Sequence, residues 1–328
     1  MKFRLGRFVV QMLAFVSVLG MLVSISSSQE YPSRAIDIVA PFSAGGGVDT
    51  FFRNIREPLS RALNVAVNVV NRGGGSGVVG SSFVANSKPD GYTLLGHDLM
   101  IHLMPSAAMP KTVPYHVLED FSPIAQIGVE PIIFYVRSDS EFKTMEDLVL
   151  YAKKNPGKLL AGASGVLTQN RINLEILKLS AGVDIHFVSF AGGGEVVISV
   201  LGGHTNFSNS PFSVTISHVK ANKLRYLATC TPERISGFPA LSTTKEKGFP
   251  DVNMNMRFGL LGPKGLSPMV IKKLANTVET ILKSQEVISM FSRFGYIVNF
   301  LGPDQLRESL SRDFVTCSEI VKKADLKE

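Results

Sequence analysis

The chain has 328 residues, 45% hydrophobic and 19% charged, which excludes a disordered protein and is long enough for two ordinary domains. Its formal charge is +7, but the lysines and arginines are scattered, with no basic stripe interleaved with aromatics, which argues against nucleic acid as a partner. Lys2, Arg4 and Arg7 precede the apolar run Phe8 to Val23 and the small residues Ser24 to Ser28, the pattern of a secretory signal cleaved after Ser28. The run is short for a membrane span, and removing the segment leaves a mild +4 on an exported protein.

After Gln29, short apolar runs alternate with helix-like segments. Ile36 to Ala40 reads as a strand that breaks at Pro41. Three consecutive glycines, Gly45, Gly46 and Gly47, then lead toward a helix over Thr50 to Leu63. Such a junction aims backbone N–H groups and the positive end of a helix dipole at one point, which suits an anion. Asp49, in the first helical turn, either meets that ligand or steadies the dipole. A strand over Ala66 to Val70, a helix over Val78 to Asn86, the turn Lys88 to Gly91 and a strand over Tyr92 to Leu95 follow. This alternation predicts a mainly parallel sheet with helices on both faces.

Proline-rich loops are expected around Pro105, Pro110 and Pro114, then a strand over Pro131 to Val136. A helix over Thr144 to Lys154 carries Thr144 and Asp147 at capping-box spacing. A second set of units comes next: strand Leu159 to Ala161, loop Gly162 to Gly165, helix Leu167 to Leu179, strand His186 to Ser189, loop Ala191 to Gly194. The helix Glu195 to Leu201 ends on two glycines. Strands over Leu224 to Cys230 and Phe258 to Leu261 precede helices over Pro268 to Ser284 and Pro303 to Lys323. Strand, glycine loop, helix recurs once in each half.

Gly75 to Gly80 is a literal G-x-G-x-x-G that follows a strand and opens a helix, with Asp98 after the next strand. That is the dinucleotide fingerprint of an NAD(P)-dependent oxidoreductase. Against it, Asn71 to Gly74 lengthen the turn, the helix is short and Ser-rich, and an exported protein meets little free NAD. The six histidines show no zinc spacing, and Ser164 lies in Gly-Ala-Ser-Gly, not in a nucleophile elbow. His97 and Asp98 are paired with no serine. No catalytic residue, cofactor or metal is expected. Cys230 and Cys317 permit one bridge in an oxidising compartment or two buried thiols.

Several stretches occur together and in order: YPSRAIDIVAPFSAGGGVD (31–49), NRGGGSGVVG (71–80), KPDGYTLL (88–95), PYHVLEDFSPIAQIG (114–128), NPGKLLAGASG (155–165), AGVDIHFVSFAGGGEVVISVLGGH (181–204), HVKANKLRYLA (218–228) and FGLLGPKGLSP (258–268). Behind an export signal, this order resembles the Bug-type (TctC-like) extracytoplasmic solute-binding receptors of tripartite tricarboxylate transporters. The resemblance implies a periplasmic binding protein fold of the type II-like class: two α/β domains with a ligand cleft between them. One domain would hold residues 29–129 and 258–328 and the other 130–257, with crossing strands at Val129 to Val136 and Arg257 to Gly262. It implies a non-enzymatic, monomeric periplasmic protein that holds a small organic carboxylate through backbone amides and ordered water. The carboxylate would pass to membrane transporter subunits or, alternatively, signal to a sensor system.

By position, the resemblance assigns ligand contacts to Ser43, Gly46, Gly47 and Asp49 in the first domain. In the second it assigns Ala163, Ser164 and Thr168, and the loop Phe190, Ala191, Gly192 and Gly193. The sequence departs from the family at several of these places. Leu167 replaces a glycine, and Ala191 a lysine. Asn209-Ser210-Pro211 stands where an Asp-Asn pair is common. Arg171 sits where the family has a histidine, and it is expected to pair with a ligand carboxylate if it faces the cleft.

Overall fold

A computed structural model describes residues 30–323 apart from 166, 191 and 236. The predicted signal segment and Ala191 therefore lie outside the described residues. The architecture below is that of the compact unit beginning at Arg34.

Two sheets organise it. The first has the order β11-β4-β10-β3-β1-β2, with β1 at Ile36–Ala40, β2 at Val67–Asn71, β3 at Thr93–Asp98, β4 at Phe121–Glu130, β10 at Met256–Pro263 and β11 at Ile297–Leu301. β1 pairs in parallel with β2 and β3, and the other pairings are antiparallel. The second sheet has the order β7-β6-β8-β5-β9, with β5 at Ile132–Arg137, β6 at Leu159–Ala163, β7 at Ile185–Ser189, β8 at Phe207–Pro211 and β9 at Leu224–Thr229. Here β6, β7 and β8 are parallel, while β5 runs antiparallel to β8 and β9.

The helices α1 (Gly47–Leu63), α2 (Val78–Ala85), α3 (Leu99–Ala108), α8 (Pro268–Leu282), α9 (Gln285–Phe294) and α10 (Pro303–Lys323) accompany strands of the first sheet. The helices α4 (Met145–Lys154), α5 (Gln169–Ala181), α6 (Gly193–Leu201) and α7 (Phe212–Lys220) accompany those of the second. α1 forms because Val48, Phe51, Phe52, Ile55, Leu59 and Leu63 recur at helical spacing and are buried together. Phe51 stacks on Phe258 at 4.0 Å, which fixes α1 to β10. Truncating such a ring costs about 3–5 kcal/mol. The predicted capping box of α4 is present in full, with Thr144 and Asp147 each holding the other's backbone N–H.

Three helices and three strands go beyond the expected elements: α3, α7, α9, β4, β8 and β11. α3 runs through Pro105, in the stretch read as proline loops. A proline inside a helix costs about 3 kcal/mol. Burial of Leu99, Met100, Leu103 and Met104, together with the Asp98 N-cap, outweighs that cost.

The chain passes from the first sheet to the second through Pro131 alone, between β4 and β5. The return passage precedes β10, which lies wholly in the first sheet although Arg257 to Gly262 were expected to cross. Asn255 stitches the two passages together: its Oδ1 accepts from Ile132 N at 3.0 Å, and its Nδ2 donates to Cys230 O at 2.8 Å. Cys230 and Cys317 are both free and buried.

Candidate functional site

Ligands of open α/β sheets gather outside the carboxyl ends of the parallel strands. In the first sheet, that end of β1 carries the loop from Pro41 to Gly46. Ser43, Ala44 and Gly45 are exposed there, and Gly46 N donates to Ser43 O at 3.3 Å. α1 then begins at Gly47, with Gly46 as its N-cap and no side chain bonded to the first-turn amides. Gly47 faces the first sheet: a Cβ there would lie 3.3 Å from Met256 Cε at the start of β10, a tight contact that a small shift of the Met side chain would relieve.

Asp49 holds this loop from behind. Its buried carboxylate accepts from Gly45 N at 2.9 Å, from Arg53 Nε at 2.9 Å and from Asn71 Nδ2 at 2.8 Å. Asn71 Nδ2 also reaches Phe42 O at 3.1 Å, and Arg53 donates to Asn71 Oδ1 at 2.9 Å. Burial pushes the Asp49 carboxyl up, but the bonds from Arg53, Gly45 N and Asn71 outweigh it and hold the group below the usual carboxylate value. Asp49 is thus a clamp with both oxygens engaged.

The second sheet offers two neighbouring loops, after β6 and β7, tied by Phe190 N donating to Ala163 O at 2.9 Å. In the first of them, the buried Asn170 side chain gathers Ser164, whose Oγ lies 3.2 Å from Asn170 Nδ2, the Thr168 hydroxyl and Arg171 N. Thr168 is the N-cap of α5, again without a side-chain cap. In the other, α6 starts behind Gly192 with uncapped amides, and a Cβ on Gly192, Gly193 or Gly194 would meet nothing within 4 Å. Phe190 is half-buried beside Gly162. Asn209 Nδ2 donates to Asn170 O at 2.9 Å, while its buried Oδ1 has no partner among the described residues.

Arg171, expected to pair with a ligand carboxylate if it faces the cleft, has partners within the protein. It donates to Glu175 at 3.0 Å through Nε, and its guanidinium sits 3.7 Å over the ring of Phe187. Its charge is spent along α5 and against β7.

A contact that motif reading missed joins α5 to the first sheet. Gln169, the first residue of α5, donates to the buried Asp98 at the end of β3. Asp98 also accepts from Met100 N at 3.0 Å and from Arg257 N at 3.4 Å. α5 therefore meets the first sheet at the start of β10, beside the Met256 that touches Gly47. Burial pushes Asp98 up to about 7 and Glu130, whose Oε1 accepts from Ser213 N at 2.9 Å, also up to about 7. No spacing rule singles out these carboxylates, because their environment comes from strands distant in sequence.

The same geometry removes the dinucleotide reading. Asp98 is fully buried and committed, so it presents no carboxylate to a ribose. Gly75–Gly77 is a single 3-10 turn, and Gly80 is required by packing, since a Cβ there would lie 2.7 Å from Arg72 O and from Pro41. A groove of about 990 Å³ lies away from all these loops, between α10 and the C-terminal half of α5. Its arginine, Arg257, is consumed by Gln126, Ser309 and Asp313.

Two α/β sheets joined through Pro131 and through the segment between β9 and β10, each with glycine loops and helix N-termini at the ends of its parallel strands, define a binding protein for small solutes. The sequence profile of the tripartite tricarboxylate transporter family receptor matches residues 51–325, and the chain belongs to that family of periplasmic solute-binding receptors. It is 28% identical to protein BugT of Bordetella pertussis, covering 95% of this chain and 96% of that one. A solved periplasmic transporter shares 30% identity with a TM-score of 0.81, covering 90% of this chain and 99% of that one. A Rhodopseudomonas palustris protein solved with adipate shares 25% identity, also at a TM-score of 0.81, with 90% and 99% covered.

Proposed function

We propose that this receptor captures a small organic carboxylate between the Ser43–Gly47 loop and the paired loops Ala163–Thr168 and Phe190–Gly193, and delivers it to a tripartite tricarboxylate-type membrane transporter. The observation that carries this reading is the set of three helices opening at those loops with no side-chain bond from the N-cap residue: α1 at Gly46, α5 at Thr168 and α6 at Gly192, although in α5 the Asn170 side chain accepts from Arg171 N. Each such terminus carries about half a positive charge and unsatisfied N–H donors, enough to hold an anion without a dedicated cation. Asp49 and Arg171 act at one remove, as positioning residues, through Gly45 and Glu175. Ser43, Ser164 and Thr168 supply hydroxyls, and Gly46, Gly47, Ala191, Gly192 and Gly193 supply backbone amides beside the Phe190 ring.

On this reading residues 1–28 direct export, and the mature monomer closes two domains, 29–129 with 258–328 and 130–257. Closure is a population shift driven by the ligand's contacts in the closed state. The adipate held by one relative supports the carboxylate class. Mass spectrometry of small molecules released from the mature chain tests the proposal, with thermal unfolding as its partner. A carboxylate should be recovered, and at about 100 times its Kd it should add about 2.7 kcal/mol of stability, with no response to NAD(P). Recovery of a nucleotide and no carboxylate would overturn the reading.

A further inference from the structure

The outer face of the short helix α2 is apolar. Val79 and Phe83, one turn apart, are 54% and 41% exposed. They line a shallow groove of about 660 Å³ together with Arg34, Arg72, Lys88 and Asp90. Asp90 is already matched by Arg34, which donates to it at 3.1 Å. Arg72 and Lys88 make no ion pair among the described residues, so the groove carries an excess of two positive charges. The Arg72 guanidinium sits 3.8 Å over the Phe83 ring, which fixes the cation while leaving its N–H donors without a carboxylate.

We infer that this groove docks an acidic segment of a partner protein, with carboxylates on Arg72 and Lys88 and an apolar side chain against Val79 and Phe83. Arginine laid on an aromatic ring beside exposed apolar surface is the composition in which interface energy concentrates. Anionic membranes are recognised by clusters of about 4–8 Lys and Arg, more than the unpaired charge present here. Gly80 packs against Pro41 and the Arg72 carbonyl, and a Cβ on Gly73 would lie 3.5 Å from the backbone of Phe42 and Ser43. Gly73 and Gly80 follow the groove residues Arg72 and Val79 in the chain, so the groove adjoins the proposed first ligand loop. That the partner is the membrane transporter rests on the receptor reading; the acidic chemistry does not.

A photoreactive benzoylphenylalanine in place of Asn86, which also lines the groove, tests this in cells making the full chain. Illumination should yield an adduct with one identified membrane protein through a peptide rich in Asp and Glu. Arg72→Glu and Lys88→Glu should each cut the yield roughly tenfold, because they place like charges across the contact. The same probe at Met269, 75% exposed, should give no such adduct. An adduct with phospholipid alone, no adduct, or an adduct indifferent to both reversals overturns the inference. Carboxylate-induced thermal shifts of the purified Arg72→Glu and Lys88→Glu chains, expected unchanged, separate a failure here from a failure of the receptor reading.

Discussion

The two sides of the site are built on opposite plans. The Ser43–Gly47 loop is locked by an ionic clamp in which Asp49, Arg53 and Asn71 satisfy one another, and two of them reach forward to Gly45 N and Phe42 O. The loops of the second sheet hang on neutral bonds around Asn170, leave Asn209 Oδ1 unpartnered, and end in three glycines with open space around them. The first side is pre-shaped, and the second is where shape is still free. Leu167, Arg171 and Asn209, where the sequence is expected to depart from the family, all fall on the second side. On the proposed reading, anion holding falls to the first side and ligand choice to the second.

The largest test breaks the clamp. Asp49→Ala takes the carboxylate acceptor from Arg53, Asn71 and Gly45 N, leaving Arg53 with Asn71 Oδ1 and Asn71 Nδ2 with Phe42 O, and hydrogen bonds to charged groups are worth about 1.5–3 kcal/mol. Urea unfolding should show a loss of about 2–3 kcal/mol, and carboxylate affinity should fall at least about tenfold as the loop relaxes. Asn at this position keeps the shape and loses the charge, so Asp49→Asn should fall between. If Asp49→Ala kept full affinity, the first side would not be pre-shaped by this network.

A second test addresses the point where the two sides meet. Asp98 and Glu130 are carboxyls raised by burial to about 7 in the folded state. Their stability contribution is full below the unfolded pKa of about 4 and is lost as pH rises toward 7, because the unfolded state then binds fewer protons. His97 and His102 run the other way. Burial holds His102 down at about 3 and His97 well below its ordinary value, so their contribution is full above the unfolded pKa of about 6.5 and is lost as pH falls. Each group is worth about 1.4 kcal/mol per pH unit. Between about pH 4.5 and 6.5 the two pairs oppose each other. Asp98→Asn removes one acid, so stability measured across that window should rise more steeply with pH than in the parent. An unchanged slope would mean that Asp98 does not titrate between the folded and unfolded states.

These residues also mark the limit of what the sequence made legible. The glycine loops, the capping box of α4 and most strands of the parallel units were readable because each rests on a few neighbouring residues. α3 was not, since a proline argued locally against a helix that distant side chains bury. Gln169, Asp98 and Asn255 were invisible for the same reason: their partners are 71 and 123 residues away along the chain. Arg171 looked like a ligand cation by position, but its partners, Glu175 on the next turn and Phe187 on β7, show themselves only once α5 packs on the sheet.

The last tests sharpen the contrast from the open side. Gly193 begins α6 with nothing within 4 Å of an added Cβ, so Gly193→Ala should leave the fold intact and stabilise it by roughly 0.4–1 kcal/mol through the unfolded chain. The same methyl group stands between the backbone and any anion that approaches closely, so affinity should fall while stability rises. Arg171→Ala, by contrast, removes the main partner of the buried Glu175 carboxylate and one ring contact, a loss of about 1.5–3 kcal/mol in unfolding. Its affinity for the carboxylate should stay within about threefold, under 1 kcal/mol of binding free energy. Calorimetry on the two variants distinguishes a backbone-held ligand from an arginine-held one: a large loss of affinity in Arg171→Ala with none in Gly193→Ala would reverse the assignment and put the charge of Arg171 in the site.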